Sequence, residues 1–147
     1  MKGVLTILLM LIVSNLPAWA ALGDDVTSVD SDLKVLGGQR RVVFNVGYNM
    51  HEITTPAGGV VKEFVSPQGR VFGISWQGNS MPNLQQLLGS YAAEVQQAPR
   101  TQIVRRRGVV IQTGDLVFTS SGHMGSYQVR AYLLSLVPDN VTAEVVK

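Results

Sequence analysis

The chain has 147 residues, no cysteine, and 12 Lys and Arg against 10 Asp and Glu. Disulfide staples, thiolate chemistry and cysteine metal sites are therefore excluded from the outset. So close a charge balance also supplies no global field for steering polyanions or gripping a membrane.

The first twenty residues are organised for export. Lys2 gives a cationic start, Val4 to Val13 an apolar core, and Ala18-Trp19-Ala20 a small-residue cleavage pattern, so cleavage after Ala20 is expected. A spanning helix needs roughly 20 apolar residues, and Ser14, Asn15 and Pro17 interrupt this run after about a dozen. No cysteine follows the apolar core, so a lipid-modified signal is excluded as well. Removing 20 of the 147 residues leaves 127, one domain with a single core at 21–147. Lys2 leaves with the signal, so 11 cationic residues face 10 acidic ones. The expected location is periplasmic or secreted, with no membrane span after cleavage.

Leu22 to Asp25 reads as an extended lead-in. Thr27 to Gly38 then carries a short helix: Thr27 and Asp30 resemble a capping box, Val29, Leu33 and Leu36 form one stripe, and Gly37 and Gly38 stop it. From Arg40 to Met50 the period changes to two, predicting one strand with Val42, Phe44, Val46, Tyr48 and Met50 on a single face. Val60 to Val65 and Arg70 to Trp76 flank Ser66-Pro67-Gln68-Gly69, a hairpin by turn chemistry, with Phe72, Ile74 and Trp76 facing one way.

One long helix is expected from Pro82 to Gln97, where Leu84, Leu87, Leu88, Tyr91, Ala92 and Val95 trace a face. Ser80 or Met81 would cap it, Pro99 would end it, and Gly89 would be an interior cost. Arg100 to Gly108 reads as a polar connection. Strand-like segments follow at Val109 to Ile111 and Leu116 to Thr119, around a turn at Thr113-Gly114-Asp115. A Ser- and Gly-rich loop from Ser120 to Ser126 leads into Tyr127 to Val137, and Val141 to Val146 ends the chain. The expected fold is α+β, an antiparallel sheet of about six strands with the long helix on one face and the short N-terminal helix nearby.

As a set, several segments resemble the exported bacterial family called domain of unknown function 2844. They are Leu22-Gly23, Ser28-Val29-Asp30-Ser31-Asp32, Met50-His51-Glu52, Val61-Lys62-Glu63-Phe64-Val65-Ser66, Gly69-Arg70-Val71-Phe72-Gly73-Ile74-Ser75-Trp76, Pro82-Asn83-Leu84-Gln85-Gln86-Leu87-Leu88-Gly89, Asp115-Leu116-Val117 and Ser121-Gly122-His123-Met124. Two positions depart from the family pattern: Asn79 where proline is usual, and Asn83 where aspartate is usual. The second forgoes a charge favoured by a helix dipole. The resemblance implies export and brings no activity with it.

Candidate chemistry is sparse. His51-Glu52 lacks the second histidine of a zinc helix motif, Thr55 standing in its place. The only histidines, His51 and His123, would need one of Glu52, Glu63 or Asp115 beside them to hold a catalytic zinc; ordinary polar surface or a hydrogen-bonded histidine is the expectation, with no metal and no cofactor. Catalytic candidates are thus His51, Glu63, Asp115 and His123, and Ser120 and Ser121 lack an argued base and orienting group. Binding candidates are Ser121, Gly122 and His123 in the presumed loop, and Trp76, whose alternation favours the core over a ligand platform. Arg105-Arg106-Arg107 lacks interleaved aromatics and reads as a solvated strand end guarding an edge, not as a nucleic-acid site; anionic envelope lipid or glycan is a further contact open to it. The function these residues point to is a non-enzymatic binding or assembly module of the envelope, with an unknown envelope protein or glycan as partner. The alternative is a small hydrolase or metal-dependent enzyme using His51 or His123.

Overall fold

The computed structural model describes residues 22–98 and 108–147, and the backbone of 104–105. The export segment, Pro99, Arg106 and Arg107 lie outside the described residues. The fold is α+β, an antiparallel sheet with a few short helices. Its elements in chain order are α1 (Ser28–Leu36), β1 (Gln39–Asn45), β2 (Tyr48–Thr54), β3 (Val60–Val65), β4 (Val71–Gly78), α2 (Leu84–Leu88), α3 (Tyr91–Gln97), β5 (Val104–Arg105), β6 (Gly108–Thr113), β7 (Leu116–His123) and β8 (Ser126–Leu133).

Among the described residues eight strands pair in the order β1-β2-β3-β4-β8-β7-β6-β5. They form two four-stranded meanders, β1 to β4 and β5 to β8, joined where β4 pairs with β8. The helices cover one face, burying Val29, Leu87, Leu88, Ala92 and Val95 against Ile53, Val61, Ile74, Ile111, Phe118, Val129 and Ala131. Across the other face runs the segment after β8, a strap whose Val146 is buried with Phe64 and Phe72. The Phe64 and Phe72 rings stand 6.2 Å apart, and Tyr48 meets Phe72 edge-on at 6.1 Å, a geometry favoured by the ring quadrupole.

The single strand expected from Arg40 to Met50 is a hairpin, with Val46-Gly47 as a two-residue loop and Gly47 at φ 86. Alternation continues unbroken through such a loop, which is why it conceals the reversal. Because Val42 pairs with His51 and Phe44 with Asn49, the reversal sends Val42 and Phe44 to the helix-covered face and Tyr48 and Met50 to the strap-covered one. Phe44 and Val46, at the uncovered edge, are 77% and 90% exposed.

The Ser66–Gly69 turn forms as its chemistry predicts, with Gly69 at φ 77 and its N–H donating to the Ser66 carbonyl. Beyond it a bulge shifts the register between Phe64 and Val65, leaving Phe72 as the extra residue of β4. Phe72 is thereby turned to the strap side, while Ile74 and Trp76 stay on the helix side. The expectation that all three share a face fails there.

The long helix is two short ones. Gly89 takes φ 55 and ψ −124, which closes α2 and lets α3 begin anew; that conformation is open to glycine and accounts for its presence. The apolar stripe survives because both halves lie on the same core. The cap of α2 is Asn83, whose side-chain oxygen accepts from the Gln86 N–H at 3.2 Å, not Ser80 or Met81. Asparagine thus does the capping that aspartate would do, without the charge. Asn83→Ala should cost about 1 kcal/mol, read as a lower thermal midpoint.

At α1, Gly37 closes the helix in a left-handed conformation as expected. Thr27, however, makes no side-chain cap; Asp25 instead accepts from the Thr27 N–H at 3.0 Å. Ser120 to Ser126 is not a loop, since β7 and β8 pair as far as His123 and Ser126 around Met124-Gly125, where Gly125 has φ 84. Val141 to Val146 is not a strand either. It contains a 3-10 turn, Ala143–Val145, and belongs to the strap. Among the described residues no helix is long and apolar enough to cross a membrane.

Candidate functional site

Two polar constellations stand out, one on each face of the sheet. Under the helices, Asp32 and Glu63 are both fully buried, and the Asp32 charge acts on Glu63. Asp32 lies one helical step from Val29 on the inward stripe of α1, and Glu63 sits between Val61 and Val65 on the inward face of β3. Gln86, buried on α2, donates from Nε2 to the Asp32 carboxylate at 3.4 Å. Burial raises the Glu63 pKa well above its ordinary value, and the negative charge of Asp32 adds to that. Both effects favour the neutral form of Glu63. Buried on both sides, the arrangement offers no open face to a substrate.

His51 pairs across strands with Glu63 and is half-buried, with its Nδ1 enclosed and without a hydrogen-bond partner. Burial lowers its pKa first, and the Arg40 charge adds to this while Asp30 opposes it. Arg40 and Asp30 themselves form an ion pair joining β1 to α1.

The other sequence candidates do not join this group. His123 lies at the end of β7, four strands from His51 in the sheet order; it is exposed, with Nδ1 3.2 Å from the Met124 carbonyl oxygen. Ser121 and Gly122 pair with Gln128 and Tyr127 inside the β7–β8 ladder. Asp115, in the β6–β7 turn, accepts from the Ser135 N–H at 2.7 Å and from its hydroxyl at 2.5 Å, which anchors the start of the strap. Among the described residues no three His, Cys, Asp or Glu side chains are grouped so as to hold a metal ion.

Trp76 packs against the helix-side core and donates from its indole Nε1 to the Ser80 carbonyl at 3.0 Å. Its ring covers Gly59 and Gly78, where an added Cβ would come within 2.2 and 2.6 Å of it. The Arg105 backbone belongs to β5, the last strand of the sheet; Arg106 and Arg107 lie outside the described residues.

On the strap side, β3, β4 and β8 floor a groove of about 230 Å³. Lys62, Ser75 and Arg130 form one row across it, since Lys62 pairs with Ser75 and Ser75 with Arg130. Gln77 and Gln128 form the next row, and Lys147 of the strap borders the groove. The Lys62 Nζ donates to the Lys147 main-chain oxygen at 3.2 Å. The Arg130 Nε–H is buried without an acceptor. Sequence reasoning missed this site because its residues come from three segments that only the β4–β8 pairing unites. The acid pair had a local signal, an acidic residue on an otherwise apolar stripe in both α1 and β3.

No curated protein and no solved structure matches the chain. A family model described as protein of unknown function (DUF2844) matches residues 18–146, nearly its whole length, and the chain belongs to that family.

Proposed function

We propose that this protein is an exported, non-enzymatic binding module of the bacterial envelope, and that it binds through the groove floored by β3, β4 and β8. The observation that carries this reading is the row along the groove in which half-buried Lys62 and Arg130 flank the buried Ser75, placing two cations on either side of it on the sheet. Sites of this kind, concave with a few convergent polar groups, are where small ligands are held. A hydrolase needs a base beside a nucleophile with a third group orienting it. His51 and His123 stand on strands separated by β3, β4 and β8, and the carboxyl cross-strand from His51 is buried beneath the helices.

The support for export is the Lys2, Val4 to Val13 and Ala18-Trp19-Ala20 pattern. Expression of the full chain in a bacterial host, followed by osmotic shock and intact-mass measurement, should recover a periplasmic form beginning at Ala21. Ala20→Arg should leave the precursor uncut. An uncleaved chain confined to the cytoplasm would remove the export half of the proposal.

A further inference from the structure

We infer that the groove recognises a sugar bearing one anionic group, a carboxylate or a phosphate. This rests on the groove being the binding site and goes further by naming the ligand class. Adjacent strands lie about 4.8 Å apart, so Lys62 and Arg130 rise roughly 10 Å apart on either side of Ser75. Ser75, the short and buried residue between them, lines the groove with both cations, and the oxyanion is placed over it, between the two.

Among the described residues the cations of the groove have no side-chain carboxylate bound to them: no Asp or Glu side chain forms an ion pair with Lys62, Arg130 or Lys147, Lys62 donating instead to the Lys147 main-chain oxygen. Glu52, the cross-strand partner of Lys62, is taken by Arg41 at 3.2 Å. Arg130 lines the groove, and a guanidinium matches the paired oxygens of a carboxylate or phosphate.

The second row sets the rest of the ligand. Gln77 and Gln128 stand two residues along their strands from Ser75 and Arg130, about 7 Å away. Each side-chain amide both donates and accepts, which suits hydroxyls. A hexose ring spans that step, with its anionic substituent on the cationic row and its hydroxyls on the amide row, and Val60, cross-strand from Gln77, supplies an apolar wall. A groove of about 230 Å³ holds one such ring and not a polymer duplex or a bilayer.

The test is calorimetric titration of the purified protein with glucuronate, glucose 6-phosphate, neutral glucose, inorganic phosphate and phosphatidylglycerol vesicles. At least one anionic sugar should saturate, binding about tenfold or more tighter than glucose or phosphate. Arg130→Gln and Lys62→Gln should each weaken it about tenfold, and added salt should weaken it too. Gln128→Ala, an exposed change that leaves the fold intact, should weaken the sugar and leave phosphate unaffected. Failure of both anionic sugars to saturate, indifference to these substitutions, or phosphate binding as tightly as the sugars (an adventitious ion only) overturns the inference. Vesicle binding that Arg130→Gln abolishes, without sugar binding, overturns the ligand class and leaves the groove as the site. Export is read separately by fractionation.

Discussion

Glu63→Gln should make the protein more stable than the wild type at alkaline pH and close to it at acidic pH. In the unfolded chain Glu63 loses its proton near the ordinary value of 4.5, whereas in the fold burial and Asp32 keep the proton on well above that. Between those two values the folded state binds more protons than the unfolded state, so stability falls as pH rises. The contribution is fully present below about 4.5 and is lost as pH climbs through the folded value. Each unit of such a shift corresponds to about 1.4 kcal/mol. Glutamine is nearly isosteric and has nothing to titrate, so the slope should disappear. What pH dependence remains should have the opposite sign, because the depressed pKa of His51 costs stability as pH falls below 6.5. Urea unfolding at pH 5 and pH 8 checks this; wild type and variant changing in parallel would show that Glu63 does not hold the proton.

Gly73→Leu should detach the strap. A Cβ at Gly73 would lie 2.5 Å from the Val146 Cγ2, and Val146 is fully buried against Phe64 and Phe72. The larger side chain cannot share that space, so the strap lifts and bares an aromatic cluster. A loss of about 1–3 kcal/mol follows from overpacking, with Gly73→Ala costing less. Limited proteolysis followed by mass measurement should show faster cutting within residues 137–147. A strap as protected as in the wild type would contradict this assignment of Val146 as its anchor.

Periodicity and turn chemistry made much of the fold legible. The Ser66–Gly69 hairpin, the Gly37 stop and the inward stripe of Leu84 to Val95 could be read directly, because each is encoded within about ten residues. What escaped depended on partners distant in sequence. The Val46-Gly47 reversal preserves alternation, so the sequence looks like one strand until β2 is seen to pair with both β1 and β3. Ser120 to Ser126 has loop composition, yet ladder hydrogen bonds to β8 overrule it. Glu63 was singled out, but not with Asp32, since nothing local tells a buried acid on one element where the second lies. The Lys62, Ser75 and Arg130 row was invisible for the same reason.

The sheet's division into two meanders bears on how the chain reaches its native state. Within each meander the strands pair with sequence neighbours, so their loops close cheaply and early. The β4–β8 pairing instead joins residues far apart in sequence, 55 positions for Ser75 and Arg130, and high sequence separation makes such pairing the slow event. Lys62 and Ser75 belong to the first meander and Arg130 to the second. Ligand held by that row therefore acts as a clasp on the seam: it binds only the docked form, and mass action shifts the chain toward it.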